Sequence, residues 1–338
     1  MKSRNVILFT FFAGLVVAVF LLQLVLGSVS IPITQVIAIL MGNSVANDSF
    51  RNIVIESRFP GALAAILAGA GLSVSGLQMQ TLFRNPVAGP YVLGISSGAS
   101  LGVALFILAT SAVGFTAGYL QNSWGLIIAA AVGAMAVFLI NFIISFRLTN
   151  MVAILIIGLM IGGGIGAFIE ILQSYSSNAA LKDFVLWSFG SFRYISLEQI
   201  SYLAAAVLIG ITAAFFISKS LNLLLLGDTY AISSGLNIRA TKILIVLCTS
   251  LLAGSITAFC GPIGFVGLAV PHLARATFKT SDHKILTPAC VLIGAVICGL
   301  CNVLASSPGT VSVLPINAIT SLLGAPLVIW IIIKQPNY

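Results

Sequence analysis

Gly261-Pro262-Ile263-Gly264-Phe265-Val266-Gly267-Leu268-Ala269-Val270-Pro271-His272-Leu273-Ala274-Arg275 decides how this chain is read. It closes a run from Ile243 to Ala274 that holds no Asp, Glu, Lys or Arg. A hydrocarbon core of about 30 Å takes roughly 20 helical residues, so this run is too long for one straight crossing. Gly261-Pro262 supplies the break, since Gly admits turn geometries and Pro removes a helix donor. The part beyond Gly267 is then short, and a tilted or partly re-entrant helix is expected there. A second Gly- and Pro-rich segment, Arg84-Asn85-Pro86-Val87-Ala88-Gly89-Pro90-Tyr91-Val92-Leu93-Gly94-Ile95-Ser96-Ser97-Gly98-Ala99, stands in equally apolar surroundings.

Outward from these segments the whole chain reads as membrane-embedded. Hydrophobic residues make up 59%, charged residues 7%, and the mean hydropathy is +1.17, which leaves too little polar surface for a water-facing shell. Because every backbone group in lipid must be bonded internally, charge-free stretches count helices. Phe59 to Phe83 and Leu148 to Ile169 hold one helix each, and Asn85 to Phe146 and Ile285 to Ile333 hold two each. Val6 to Leu26 and Gln199 to Ser218 add one each, and the broken run adds a pair, giving an all-α polytopic chain of about ten crossings in a single domain, residues 1–338. The first span follows Lys2 and Arg4, lacks a small-residue cleavage site and is read as retained.

Charge orients this arrangement. With the N-terminus inside, Lys2, Arg4, Arg84, Arg147, Lys219, Arg239, Lys242, Arg275, Lys279, Lys284 and Lys334 face the cytoplasm, and only Arg51, Arg58, Lys182 and Arg193 face out. That asymmetry satisfies the positive-inside rule, which a miscounted span would scramble. The net charge of +8 therefore reflects topology, and the dispersed cations without an aromatic platform argue against nucleic acid. Cys248, Cys260, Cys290, Cys298 and Cys301 lie in apolar runs with no His or carboxylate to complete a metal site, so they are read as packing residues and neither metal nor cofactor is expected.

Three polar stretches interrupt the spans: Gly42 to Arg58 and Ser174 to Gln199 outside, and Lys219 to Lys242 inside. In the last, Leu221-Asn222-Leu223-Leu224-Leu225-Leu226-Gly227-Asp228 is an apolar run ending in a Gly turn. Thr229 is the expected cap of a second short helix that ends near Gly235-Leu236-Asn237. Such a knob exposes apolar surface that either a partner or the membrane surface covers. Within the spans, Gly94, Gly98 and Gly102 repeat at four-residue spacing, as do Gly158, Gly162 and Gly166. These stripes are expected to let helix backbones approach closely. No phosphate-binding loop is formed, because no Lys-Ser/Thr follows Gly162-Gly163-Gly164-Ile165-Gly166.

The ordered series Arg58-Phe59-Pro60, Gly69-Ala70, Ser75-Gly76, Gln80, Arg84-Asn85-Pro86, Trp187, Gly190-Ser191, Gly261-Pro262-Ile263-Gly264-Phe265, Pro271-His272, Leu314-Pro315 and Leu323-Gly324-Ala325-Pro326 resembles the FecCD family of ABC-importer permeases, which carry ferric siderophores, haem and cobalamin. The resemblance implies a cobalamin-importer-like permease fold and a homodimer in the bacterial inner membrane with its path on the two-fold axis. It further implies two cytoplasmic ATP-binding-cassette ATPases and a periplasmic or lipid-anchored binding protein. In this likeness the 219–242 segment is the coupling loop, with Leu221, Leu226, Gly227, Asp228, Ala231, Gly235, Leu236 and Asn237 matching its pattern. Thr149 and Asn150, in the turn between the fourth and fifth spans, correspond to an inner gate; as residues alone they are also ordinary turn chemistry.

Departures from the family bear on docking of the binding protein. Gly61 stands where a second Arg is common, Val313 where a Glu is common, and Ser306 to Pro315 holds no cation. Arg58 is left as first docking candidate and Arg51 as second, with anchoring of a helix end as the other reading of Arg58. His272 reads either as a cargo contact or as a packed, hydrogen-bonded side chain, and Glu170 as facing a vestibule or the interface. An ion-coupled transporter would need ionisable groups within its spans, and only Glu170 and His272 come near; an intramembrane enzyme would need a paired Asp, a Ser-His pair or a His-Glu-x-x-His motif, and none is present. A ferric-siderophore importer subunit, itself without catalytic activity, is the leading reading.

Overall fold

The computed structural model describes residues 2–27, 29–43, 48–109, 123–147, 151–306 and 314–334. In chain order its helices are α1 (Lys2–Val25), α2 (Ile33–Leu40), α3 (Asp48–Leu82), α4 (Ile95–Ala109), α5 (Ser123–Arg147), α6 (Met151–Ser174), α7 (Asn178–Ser188), α8 (Leu197–Phe216), α9 (Ser218–Leu225), α10 (Asp228–Ser233), α11 (Ile238–Cys260), α12 (Val266–Phe278), α13 (His283–Ala305) and α14 (Ile316–Lys334). Among the described residues there is no strand. Helices α1, α3, α5, α6, α8, α11 and α13 are long and apolar enough to cross a membrane, and α4 and α14 are shorter apolar helices. The 13 residues of α12 rise about 20 Å, short of a ~30 Å core, so the eighth segment is a partial crossing.

Caps fix several boundaries. Ser196 and Gln199 form a reciprocal capping box at α8, while Ser177, Asn237 and Asp282 each accept a backbone N–H at the starts of α7, α11 and α13. The break after α11 runs over Gly261–Phe265, with Gly261 at φ +74 and Phe265 at +63. Its backbone groups find partners on three other segments: the Asn317 side chain accepts from Gly264 N–H at 2.8 Å, the Tyr91 hydroxyl donates to the Ile263 carbonyl, and Ser191 N–H donates to the Cys260 carbonyl at 2.8 Å. Non-helical backbone at membrane depth is tolerable only on such terms.

Helix α3 is the central pillar. It packs along α13 more extensively than any other pair of elements meets, and also along α11, α12 and α8. Close approach explains the choice of residues: a Cβ at Gly69 would overlap the Gly294 carbonyl, and one at Gly76 the Gly267 carbonyl. A second core joins α4, α5 and α11, and a small third one gathers the outer end of α1 with α2 and the π-turn Ile53–Arg58 inside α3. All five cysteines are free and buried; Cys248 receives a hydrogen bond from Gln78 at 3.3 Å and donates to the Gly210 carbonyl at 3.0 Å.

Two details differ from the sequence reading. The stripe Gly94, Gly98, Gly102 is not a single helix face, because Gly94 is the left-handed residue (φ +67) that starts α4; Gly98 and Gly102 do lie in the helix, against the Gly133 and Ala129 carbonyls of α5. Along α6, Gly158 approaches the Val92 carbonyl and Gly162 the Ser97 side chain, whereas a Cβ at Gly166 would meet none of the described residues within 4 Å. Nor does Thr229 cap the second knob helix: the cap lies two residues earlier, at Gly227 (φ +108), so α10 starts at Asp228 and Thr229 lies inside it.

Candidate functional site

Hydrogen bonds collect the helix ends into two sets, and they agree with the sides assigned from charge. On the cationic side, α9 and α10 form the knob expected between residues 219 and 242, joined at Gly227. Leu221 and Ala231 are fully buried and root the two helices, while Leu225, Leu226, Tyr230 and Ile232 are exposed on the surface. Gly235, at φ +82, ends the knob, Leu236 packs against the second core, and Asn237 caps α11.

Two polar clusters hold this knob. Its first helix is tied through an amide: Asn222 donates to the Asp282 carboxylate at 2.6 Å and accepts from His283 N–H at 2.9 Å, and the buried His283 ring lies 2.8 Å from both Asn222 and Thr81. Burial pushes the Asp282 carboxyl up, but the Asn222 amide and the Lys284 N–H outweigh it and hold the group below the usual carboxylate range. Its second helix is held by charge: Asp228 pairs with Arg84 and, at 3.4 Å, with Lys242 of α11. Arg84 also donates to the Leu224 carbonyl at 3.2 Å, so one guanidinium spans the Gly227 turn. A cavity of about 200 Å³ opens beside this ion triad, lined by Thr81, Leu82, Phe83, Arg84, Leu224, Asp228 and Lys242.

Arg84-Asn85-Pro86 is the turn leaving the pillar. Arg84 itself is left-handed (φ +46), and the Asn85 side chain accepts from Val87 N–H at 3.0 Å. The Pro86 carbonyl lies 2.8 Å from His272 Nε2, which makes His272 a buried, hydrogen-bonded residue of α12. Three residues on, Arg275 donates to Gln80 of the pillar at 2.6 Å, and Gln80 donates to the Leu268 carbonyl at 3.1 Å. The sequence-marked groups Arg84 to Pro86 and Pro271-His272 thus meet, and the first of them also grips the knob. That last link was not predicted, since nothing in a sequence reports a contact across 144 residues.

On the opposite side, Arg58 donates to the Leu24 and Val25 carbonyls at 2.7 and 2.8 Å and to that of Val29. It thereby caps the last turn of α1, and fewer donors remain for a partner. Arg51 is exposed. Arg193, from the loop before α8, shares a small polar pocket with Arg58, Gln23, Asn302 and Gly61. Glu170 is exposed on α6. Thr149 and Asn150 lie outside the described residues. Among the described residues no cluster of three His, Cys, Asp or Glu side chains could hold a metal.

Comparison with known proteins covers the whole of this architecture. The sequence model of the FecCD transport family matches residues 15–334. The hemin transport system permease protein HmuU of Yersinia pestis is 34% identical over 318 residues, 94% of each chain. The vitamin B12 import system permease protein BtuC of Salmonella typhi is 34% identical over 282 residues, 83% of this chain and 84% of that one. Among solved structures, an inward-facing conformation of a metal-chelate type ABC transporter superposes with a TM-score of 0.84 at 27% identity, covering 97% of this chain and 99% of the other.

Proposed function

The chain belongs to the FecCD transport family of ABC-importer permeases, and from that premise we propose that it carries an iron chelate of the ferric-siderophore class from periplasm to cytoplasm. The observation that supports this most is the knob. An apolar surface built from Leu225, Leu226, Tyr230 and Ile232, rooted by buried bonds and framed by an ion triad, is what a separate ATPase needs to grip. The reading takes the chain as one permease domain acting as a homodimer in the bacterial inner membrane, with an ATPase on each knob. A periplasmic or lipid-anchored binding protein docks at the outer face, where Arg51 leads and Arg58 follows, and Thr149–Asn150 gates the inner end of the path. ATP hydrolysis belongs to the partner.

Haem is the second reading of the cargo, favoured by the hemin permease at 34% identity, and cobalamin the third, by the vitamin B12 permease. The test is reconstitution in proteoliposomes with its cognate ATPase and binding protein, offering radiolabelled ferric siderophore, haem and cobalamin in turn. ATP-dependent accumulation of the siderophore is expected. Accumulation of haem or cobalamin instead replaces the cargo, and uptake that follows an ion gradient without ATP sinks the importer reading.

A further inference from the structure

Arg84 touches both halves of the knob, the Leu224 carbonyl before the Gly227 turn and the Asp228 carboxylate after it. Gly227 sits at φ +108, open to glycine and strained for other residues, and among the described residues a Cβ there would meet nothing within 4 Å. The turn is therefore a joint that packing does not lock. What spans it is a side chain, and that side chain begins a turn whose next carbonyl but one, that of Pro86, is held by His272 on the half-length α12. Arg84 is 48% exposed and Asp228 46%, so the clasp is breakable, whereas the anchor of the first knob helix closes on a buried residue, His283.

We propose that Arg84 is the positioning residue of ATPase coupling: it sets the angle of the knob across Gly227 and, through the Pro86 carbonyl and His272, joins that angle to α12. This rests on the knob being the ATPase-facing element. Motion imposed on α10 would either carry the Arg84 turn, and α12 with it, or break the Asp228 contact and leave α12 behind. An exposed ion pair of this kind contributes little to folding, so its value lies in which of these two outcomes prevails. Lys242 also faces Asp228 at 3.4 Å; it comes from α11, does not reach the first knob helix in any hydrogen bond described, and cannot substitute for a clasp across the joint.

The experiment uses the assembled permease–ATPase complex in nanodiscs and compares ATP hydrolysis with and without saturating binding protein, since that signal must cross the permease from outer face to knob. For Arg84→Gln the stimulation should fall about fivefold, the equivalent of ~1 kcal/mol, with complex yield and melting temperature unchanged. Asp228→Asn should do the same, and the double variant should be no worse than either single one, because both break one clasp. Arg84→Lys keeps the charge without the two-point reach and should recover only part of the signal. His272→Phe, which removes the bond to Pro86, should lower stimulation while the knob contacts persist. Wild-type stimulation in Arg84→Gln, or additive losses in the double variant, overturns the proposal. Gly227→Pro separates the two levels: if it leaves stimulation intact, the knob is not the coupling element at all, whereas if it abolishes stimulation and Arg84→Gln does not, only the clasp is wrong.

Discussion

Helices α3 and α6 look alike as apolar segments long enough to cross a membrane, yet over an apolar 18-residue stretch of each, 83% of the first is buried in the protein and only 17% of the second. The buried helix has the lower mean hydropathy. Its sequence is dense in Ala, Gly, Ser and Gln, which trade lipid-facing bulk for close backbone approach and hydrogen bonding to neighbours. Ser73 donates to the Gly69 carbonyl, Gln78 accepts from Thr249 at 3.1 Å, and Gln80 bridges to α12. The other helix offers Ile, Leu and Met outward, and among the described residues only Gly158 and Gly162 of its glycines meet another part of the chain. In a membrane, where lipid is as apolar as leucine, strong hydropathy marks the rim and moderate hydropathy marks the core.

The sharpest way to break this comparison is to enlarge a pillar glycine. Gly76→Leu drives a side chain into the Gly267 backbone, and the loss should be roughly 4 kcal/mol or more, read as the absence of a monodisperse folded peak in detergent. Survival of that variant with a wild-type melting curve would show that α3 and α12 do not cross as described. A middle-sized effect belongs to the rim helix α1, which is mostly unburied and is held at its ends by arginines. Arg4 donates to the Phe278 carbonyl at 2.7 Å, and Arg58 holds the other end. Arg58→Ala strands buried carbonyls at about 1–3 kcal/mol, visible as faster hydrogen exchange over Leu24–Leu26; on this geometry its effect on binding-protein affinity is the smaller one. The smallest effect should come from Gly164→Leu on α6, where a Cβ would meet none of the other described residues within 4 Å: melting of the isolated chain should shift by no more than ~0.5 kcal/mol equivalent, and a collapse like that of Gly76→Leu would erase the distinction between pillar and rim.

Much of this was legible in the sequence, for a simple reason. Lipid forbids unpaired backbone and stray charge, so charge-free stretches and Gly-Pro breaks announce helix number and even the short α12. His272 could be read as packed because a lone imidazole in an apolar helix needs a partner, though not that the partner is the Pro86 carbonyl. What was not legible is pairing across the chain. Gly69 and Gly76 were visible only as part of a resemblance, since their meaning depends on Gly294 and Gly267. The four-residue spacing at Gly94 misled because a left-handed start to α4 falls in register with the helix that follows. Thr229 looked like a cap because capping chemistry is local, whereas Asp228 one residue earlier is placed by Arg84 and Lys242 from elsewhere.

The placement of the five cysteines has a practical consequence. Every thiol in the chain is buried in the helix bundle, which leaves the native protein blank toward water-soluble maleimides. A single cysteine put at Ser233 on the knob, which is exposed, or at Ser177 before α7 would be the sole reporter in an otherwise unaltered chain. Modified from the cytoplasm alone and from outside alone respectively, the two would fix the orientation that the distribution of arginine and lysine implies, and modification of both from one side would invert it.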